Sequence, residues 1–343
     1  MNSLLNVPLS QWPEIIEGLG GEAYRAAQLI DWIFKKRVFS FKKMSNISQK
    51  VREGLEKNYS IRSLMLSGAE ESKVDGTTRY FFKTEDGHDV SCVYLPFEHR
   101  RSLCLSTQAG CAWGCVFCAS GQVKFQRNLT PSEMIDQVFF IEEIVGKPLD
   151  SLLFMGMGEP LANYNALVDT LNMVRSPLGL GFGARHVTVS TSGLVPQIEM
   201  LAESAPKVNL AISLHAANDP LRKTLLPKSS AWSIKEVLNA AKTYSKKTGA
   251  TVTFEYVLLG GVNDSEQDAK RLANLIRGLA RYGDYWVNLI AYNPVPGLPY
   301  VKPEADKVDL FKSILTVRQV PVRVRKPQGV DIGAGCGQLG EAR

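Results

Sequence analysis

Hydrophobic and polar positions along the chain follow two periods, and the pattern changes near residue 100. From Tyr24 to Phe34, the residues Ala27, Leu29, Ile30, Trp32 and Ile33 recur at helical spacing, so residues 1–60 read as a small helical module. TTRYFFKT and HDVSCVYLP alternate with period two around a charged EDG turn, which predicts short strands within 61–98. From residue 99 onward, apolar strands alternate with helices. SLCLS, SLLFMG, HVTVS, VNLAISLH, TVTFEYVLL, YWVNLIAY and VPVRVRK read as strands. Three of the helices between them carry capping signals: Thr130 with Pro131 and Glu133, Ser233 with Glu236, and Asp264 with Gln267. The result is six strand–helix units in a row. Strands that read as apolar throughout predict parallel strands buried on both faces.

A doubly wound open sheet and a partial barrel both fit that order. Polar residues follow nearly every strand: Cys111–Cys118, Gly158 with Glu159, Ser190, Ser213 to His215, and Asn293. Barrel-type folds build their site from loops at the carboxyl ends of the strands. The expected fold is therefore α/β, a partial TIM-type (β/α)6 barrel. Its expected division is a helical accessory domain at 1–60, a β linker or extension at 61–98, and a core at 99–343.

Composition changes this picture little. The chain has 343 residues, 45% hydrophobic and 22% charged, which excludes a disordered chain, a collagen and a coiled coil. No run approaches the ~18 apolar residues of a membrane helix. The first residues lack a signal-peptide pattern, so the expected location is the cytoplasm, with no membrane partner. Forty Lys and Arg against thirty-four Asp and Glu give +6. Two basic stretches stand out, KKRVFSFKK at 35–43 and the segment 312–326, each with five basic residues and no acid. Each reads either as a solvated edge or as a nucleic-acid contact, with charges for phosphates and, in the first, aromatics for stacking.

The six cysteines change it most. They are too few for a disulfide scaffold, and Cys111, Cys115 and Cys118 cluster in CAWGCVFC, a C-x3-C-x2-C spacing. Three thiolates on one loop can hold three irons of a cubane cluster and leave the fourth iron open. A structural zinc needs four ligands, and none of the four histidines lies in this loop. A catalytic zinc on three cysteines stays open at this point.

This spacing, with Phe117 before the last cysteine, resembles the radical S-adenosylmethionine (SAM) superfamily. FMGMGEPLAN (154–163), VTVSTSG (187–193), LAISLHA (210–216), NLIAYNPVPG (288–297) and DIGAGCGQL (331–339) resemble the RlmN/Cfr family of RNA adenine methyltransferases, and YRAAQLIDWIFKKRV resembles that family's accessory domain. The resemblance covers almost the whole chain. It implies a radical-SAM barrel, a 4Fe-4S cluster on Cys111, Cys115 and Cys118, and two SAM per turnover. It places SAM against Gly158, Glu159, Ser190, Ser213, Leu214, His215 and Asn293.

The resemblance also assigns two cysteines outside the cluster. Cys336 takes a methyl from one SAM. A radical made from a second SAM activates that methyl, which adds to the adenine as a covalent RNA adduct. Cys104 then attacks the sulfur of Cys336, releasing the base through a transient disulfide. Cys92 matches no family role and reads as a core strand residue. One departure matters. The family carries a glutamate base at the position that is Ser91 here, and serine is a poor base. Asp89, two residues earlier on the same strand face, is the expected substitute, unless a water serves or activity is weakened.

The implied reaction is methylation of carbon 2 of an adenine in 23S rRNA and tRNA. The implied partners are those RNAs and a one-electron donor protein, with the enzyme as a monomer. GMGEPL and QAGC look closer to the carbon 2 branch than to the carbon 8 (Cfr) branch. A non-catalytic, cluster-bearing RNA-binding protein is the alternative from another class. In the RNA reading, Arg323 and Arg325 place phosphate contacts beside the Cys336 arm.

Overall fold

The computed structural model describes residues 2–279 and 285–340. Met1, 280–284 and 341–343, which the domain spans include, lie outside the described residues.

The amino-terminal module contains α1 (Trp12–Gly18), α2 (Arg25–Phe34) and α3 (Gln49–Asn58). A two-residue parallel pair, β1 (Asn2–Ser3) and β2 (Tyr59–Ser60), closes it. Three antiparallel strands follow, β3 (Leu64–Glu71), β4 (Thr78–Thr84) and β5 (Asp89–Phe97). They are not a separate layer. β5 pairs with β6 (Arg100–Cys104), and from there one ten-stranded sheet continues through β9 (Ser151–Phe154), β10 (Val187–Thr191), β11 (Asn209–Ser213), β12 (Val252–Leu258), β13 (Tyr285–Ala291) and β14 (Val322–Val324). A small hairpin of β7 (Gln108–Ala109) and β8 (Arg127–Asn128) stands apart.

From β6 to β14 every pairing is parallel and the strand order never reverses. A doubly wound sheet has a reversal point. Uniform right-handed crossovers instead put all the helices on one face. These are α5 (Pro131–Val145), α6 (Tyr164–Arg175), α7 (Val195–Ser204), α9 (Ile234–Thr248), α10 (Glu266–Arg277) and α11 (Ala305–Val317); two short helices, α4 (Ala119–Gln122) and α8 (Asp219–Leu225), lie in loops. The sheet is a partial barrel with an inner face free of helices.

Local rules explain the helix ends. Thr130 and Ser233 form complete capping boxes with Glu133 and Glu236, and Gly146 and Gly249 end their helices at positive φ. The third cap differs from expectation. Ser265 caps α10 by accepting from Asp268 N, while Asp264 accepts from Gly261 N. The strands also differ: they are not apolar throughout. Their inward positions include Thr188, Ser190, Ser213, Thr253, Glu255 and Asn288. Strand β3 lies within the span expected to form strands but outside both alternating runs; LMLSGAEE is largely exposed and pairs with β4.

The amino-terminal module docks on α5. Phe34 and Phe39 pack on Phe139 at 5.6 and 4.9 Å between ring centres. Fully buried Asp136 accepts from Arg62 Nη1 at 2.7 Å and from the backbone N of Ser63 and Leu64 at 2.8 and 2.9 Å. Asp136→Ala leaves those donors without an acceptor. The expected loss is about 3 kcal/mol of unfolding free energy, checked by chemical denaturation. Asp136→Asn, which keeps an acceptor, costs less.

The basic stretch 35–43 serves this docking. Lys35 donates to Gly179 O at 2.9 Å, and Arg37 binds Glu142. Lys36 pairs with Asp31 and lies over Trp32, and Lys42 pairs with Glu56. Four of its five charges therefore have partners within the chain. No helix among the described residues is long and apolar enough to cross a membrane.

Candidate active site

The site sits at the carboxyl ends of the parallel strands. After β6 the chain passes Ser106, Thr107 and Gln108, all buried, before the cysteine loop. The amide of Gln137 clamps Ser106, accepting from its N at 2.9 Å and donating to its O at 3.0 Å. The GMGE turn after β9 is bonded to the same stretch. Met157 N donates to Ser106 Oγ at 2.9 Å and Glu159 N to Gln108 Oε1 at 2.9 Å. Gly158, at φ 110°, lies so close to Gln108 that a Cβ there would meet it at 2.7 Å.

Phe117 stands edge-on to His215 at 5.0 Å. His215 adopts φ 55°, and its Nδ1 accepts from Val257 N at 3.0 Å. Burial lowers its pKa to about 3, so it is neutral and its Nε2 carries the hydrogen. Glu159 is buried; its Oε2 accepts from Ser192 N at 2.7 Å and its Oε1 from Leu161 N at 3.1 Å. Ser190 Oγ donates to Phe154 O at 2.9 Å.

The Cys336 arm folds back onto the cysteine loop. Ala119 N donates to Gly337 O at 2.7 Å, and Ser120 Oγ donates to Leu339 O. Asn293 Nδ2 donates to Cys336 O at 3.1 Å. Leu339 and Ala334 pack on Val93, the strand partner of Cys104. Cys336 itself is exposed.

Two continuous cavities result. The first, of about 630 Å³, is lined by Cys104, Cys118, Met155, Glu255, Arg325 and Cys336. The second is lined by Cys111, Cys115, Cys118, Gly158, Glu159, Ser190, Ser213 and His215, and it shares Glu255, Arg325 and Cys336 with the first. The cysteine loop, the SAM positions implied by the resemblance and both further cysteines thus face connected space. Leu214 is the exception: its side chain lies in the core and only its backbone is near the site. Asn293 holds the Cys336 arm. All six cysteines are free, so no disulfide joins Cys104 to Cys336 here. Cys92 is buried in the core, as its strand position predicts.

Asp89 is not brought to the site. It is exposed and paired with Lys83 at 2.9 Å. It opens β5, and Val93, four residues on, is the partner of Cys104. That separation along a strand is roughly 13 Å. Ser91 is buried and accepts from Arg79 Nη2 at 3.5 Å.

Sequence reasoning missed Glu255 and misplaced Arg325. Glu255 is 5% exposed, and its Oε1 accepts from Thr253 Oγ1 and Asn288 Nδ2 at 2.8 and 2.7 Å. Its Oε2 faces Arg325 at 3.6 Å and has no closer donor among the described residues. The signal was there: a lone acid in the apolar run TVTFEYVLL. Arg325 is not a surface phosphate contact. It points inward beside Met155 and both further cysteines.

Burial pushes the Cys104 thiol up to about 12, the charge of Cys336 adds to this, and the Arg325 guanidinium opposes both. Arg325→Gln removes that opposition, so less thiolate is present at neutral pH. Alkylation of Cys104 is expected to slow, with its pH profile displaced upward. Arg325→Lys should restore most of the rate. Mass-spectrometric mapping of iodoacetamide labelling against pH checks this.

The residues present fit a cluster with SAM. Besides three thiols, the cavity is lined by Trp113, whose Nε1 is buried with no hydrogen-bond acceptor among the described residues, and by the buried Ser192. Among the described residues no three Cys, His, Asp or Glu side chains converge on a single ion. A cubane spreads its thiolates over different irons and needs no such convergence.

Fold and site together define a radical SAM enzyme. Residues 105–273 match the radical SAM superfamily model, and residues 2–61 match the ribosomal RNA large subunit methyltransferase N-terminal domain. A radical SAM methyltransferase from Sphaerobacter thermophilus has the same structure, with a TM-score of 0.92, 38% identity and 99% of each chain covered. The dual-specificity RNA methyltransferase RlmN of Anaeromyxobacter sp. (strain Fw109-5) is 43% identical over 98% of this chain and 90% of its own length. The probable dual-specificity RNA methyltransferase RlmN of Endomicrobium trichonymphae is 39% identical over 98% of this chain and 97% of its own. The chain belongs to the RlmN family of radical SAM methyltransferases.

Proposed function

We propose that this enzyme methylates carbon 2 of a specific adenine in 23S rRNA and in tRNA, through an S-methylcysteine on Cys336. The observation that carries this reading is the shared cavity. Cys336 and Cys104 face one space that is continuous with the cysteine loop. Relatives of this chain are named as dual-specificity RNA methyltransferases, and the amino-terminal module matches a ribosomal RNA methyltransferase domain.

When bound, the cluster and two SAM per turnover would supply a methyl group, a hydrogen-abstracting radical, and an acceptor for the one electron left over when the ring carbon gives up its proton. The chain's own residues do the rest. Cys111, Cys115 and Cys118 would hold the cluster. Glu159, on its Ser192 and Leu161 donors, orients the ammonium group of SAM by a charge-assisted bond. Gly158, Ser190, Ser213, His215 and the backbone of Leu214 shape the rest of that pocket. Cys336 carries the methyl as a thioether and delivers its carbon to the base. Cys104, as thiolate, attacks the sulfur of Cys336; the S–S bond forms as the S–C bond to the methylated base breaks. The released base keeps that electron pair and takes up a proton. Glu255, the carboxylate inside the cavity, is placed to receive the proton given up at the ring carbon, where Asp89 is not.

A one-electron donor protein would supply the electron that SAM cleavage consumes. The test is anaerobic reconstitution with in-vitro transcribed 23S rRNA fragments and tRNA, followed by mass spectrometry of nucleosides. The expected product is 2-methyladenosine. Either 8-methyladenosine alone or no methylated adenosine overturns the reading.

A further inference from the structure

The larger cavity has a second end, at the amino-terminal edge of the strands. There Thr188, Asn209 and Thr251 lie side by side across β10, β11 and the start of β12. Closed barrels fill this level with branched apolar side chains. Here small polar groups leave a passage along the inner face towards Cys104 and Cys336.

Three arginines line this cavity: two stand at that end, and the third, in register with Asn288, reaches back over Trp286. Arg100 opens β6, Arg185 lies in the short 3-10 turn before β10, and Arg323 is on β14. All three line the cavity and all three are exposed. None has a carboxylate partner among the described residues. Arg100 lies over Phe97 at 5.0 Å and Arg323 over Trp286 at 4.1 Å, so both are held in place by rings rather than by acids. The one acid lining the cavity among the described residues is Glu255, which lies inside, on Arg325. Three like charges lining one cavity repel each other unless an anion joins them. The stretch 35–43 differs, because its charges are largely paired within the chain.

We propose that the RNA strand enters through this amino-terminal opening, with Arg100, Arg185 and Arg323 on the phosphates flanking the target adenine. The adenine then lies unstacked in the passage, facing Cys104 and Cys336. This deepens the reading above and rests on it. An adenine cannot reach a thiol inside a barrel while stacked in a helix, so it must be extruded or come from a single-stranded loop. Arginine suits the task because its planar fork matches a phosphate and it remains charged.

The test uses the full-length, cluster-loaded enzyme and two fluorescein-labelled probes: a tRNA transcript and an RNA hairpin with an unpaired adenine. Arg100→Gln/Arg185→Gln/Arg323→Gln is compared with Lys36→Gln/Lys42→Gln/Lys43→Gln. The arginine variant is expected to bind at least roughly tenfold more weakly at physiological salt. Its salt slope should be shallower by about two, as three lost phosphate contacts on a single strand require. The lysine variant should bind within about twofold of wild type. Thermal melts check that both variants fold. Wild-type affinity and slope in the arginine variant, or loss confined to the lysine variant, overturns the entry route. If the wild type methylates neither RNA, the functional reading fails first and takes the route with it.

Discussion

Cys336→Ala is expected to abolish RNA methylation while SAM cleavage to 5′-deoxyadenosine persists. The side chain and backbone of this arm do different things. Its backbone holds the cysteine loop, through Ala119 N to Gly337 O and Ser120 Oγ to Leu339 O. Asn293 reaches the carbonyl of Cys336, not its sulfur. Alanine keeps all three contacts and removes only the thiol. Product should fall by on the order of a thousandfold or more, the scale at which loss of a nucleophile stops covalent catalysis. Nucleoside mass spectrometry reads the product, and chromatography reads 5′-deoxyadenosine. Methylated adenosine at wild-type levels would remove Cys336 from the mechanism.

Cys104→Ala is expected to fail at a different step. Methyl loading and transfer require Cys336, so both proceed. Release requires a second thiol, and the structure supplies one in the same cavity. Without it the enzyme should stop as a covalent RNA adduct, at no more than one RNA per enzyme. A denaturing gel of labelled RNA shows this as a band of protein mass resistant to heat. Free methylated RNA over several turnovers would show that Cys104 does not resolve the adduct. The two variants therefore fail oppositely, one before the carbon–carbon bond forms and one after.

Much of the fold was legible because its rules are local. Capping boxes at Thr130 and Ser233 span only four consecutive positions, and both formed. The strand–helix order was legible from periodicity. The cysteine loop was legible because three ligands within eight residues need no distant partner. Misreadings arose where partners lie far apart in sequence. Asp89 and Ser91 share a strand face, but position along the strand decides reach, and Cys104 pairs opposite Val93. Arg323 and Arg325 also share a face: the first is exposed and lies over Trp286, and the second is half-buried and faces Glu255.

The sequence by itself therefore determined the order of elements, the three-cysteine loop and the presence of two further cysteines. Only the tertiary structure decided that those two face one cavity, that Asp89 is excluded from it, and that Glu255 and Arg325 line it. It also turned the basic stretch 35–43 from a candidate nucleic-acid contact into a docking segment, through Glu142 and Gly179 more than a hundred residues away. The physical reason is range. Periodicity, caps and ligand spacing act within a few residues, whereas the curvature of a ten-stranded sheet decides which distant side chains meet on its inner face.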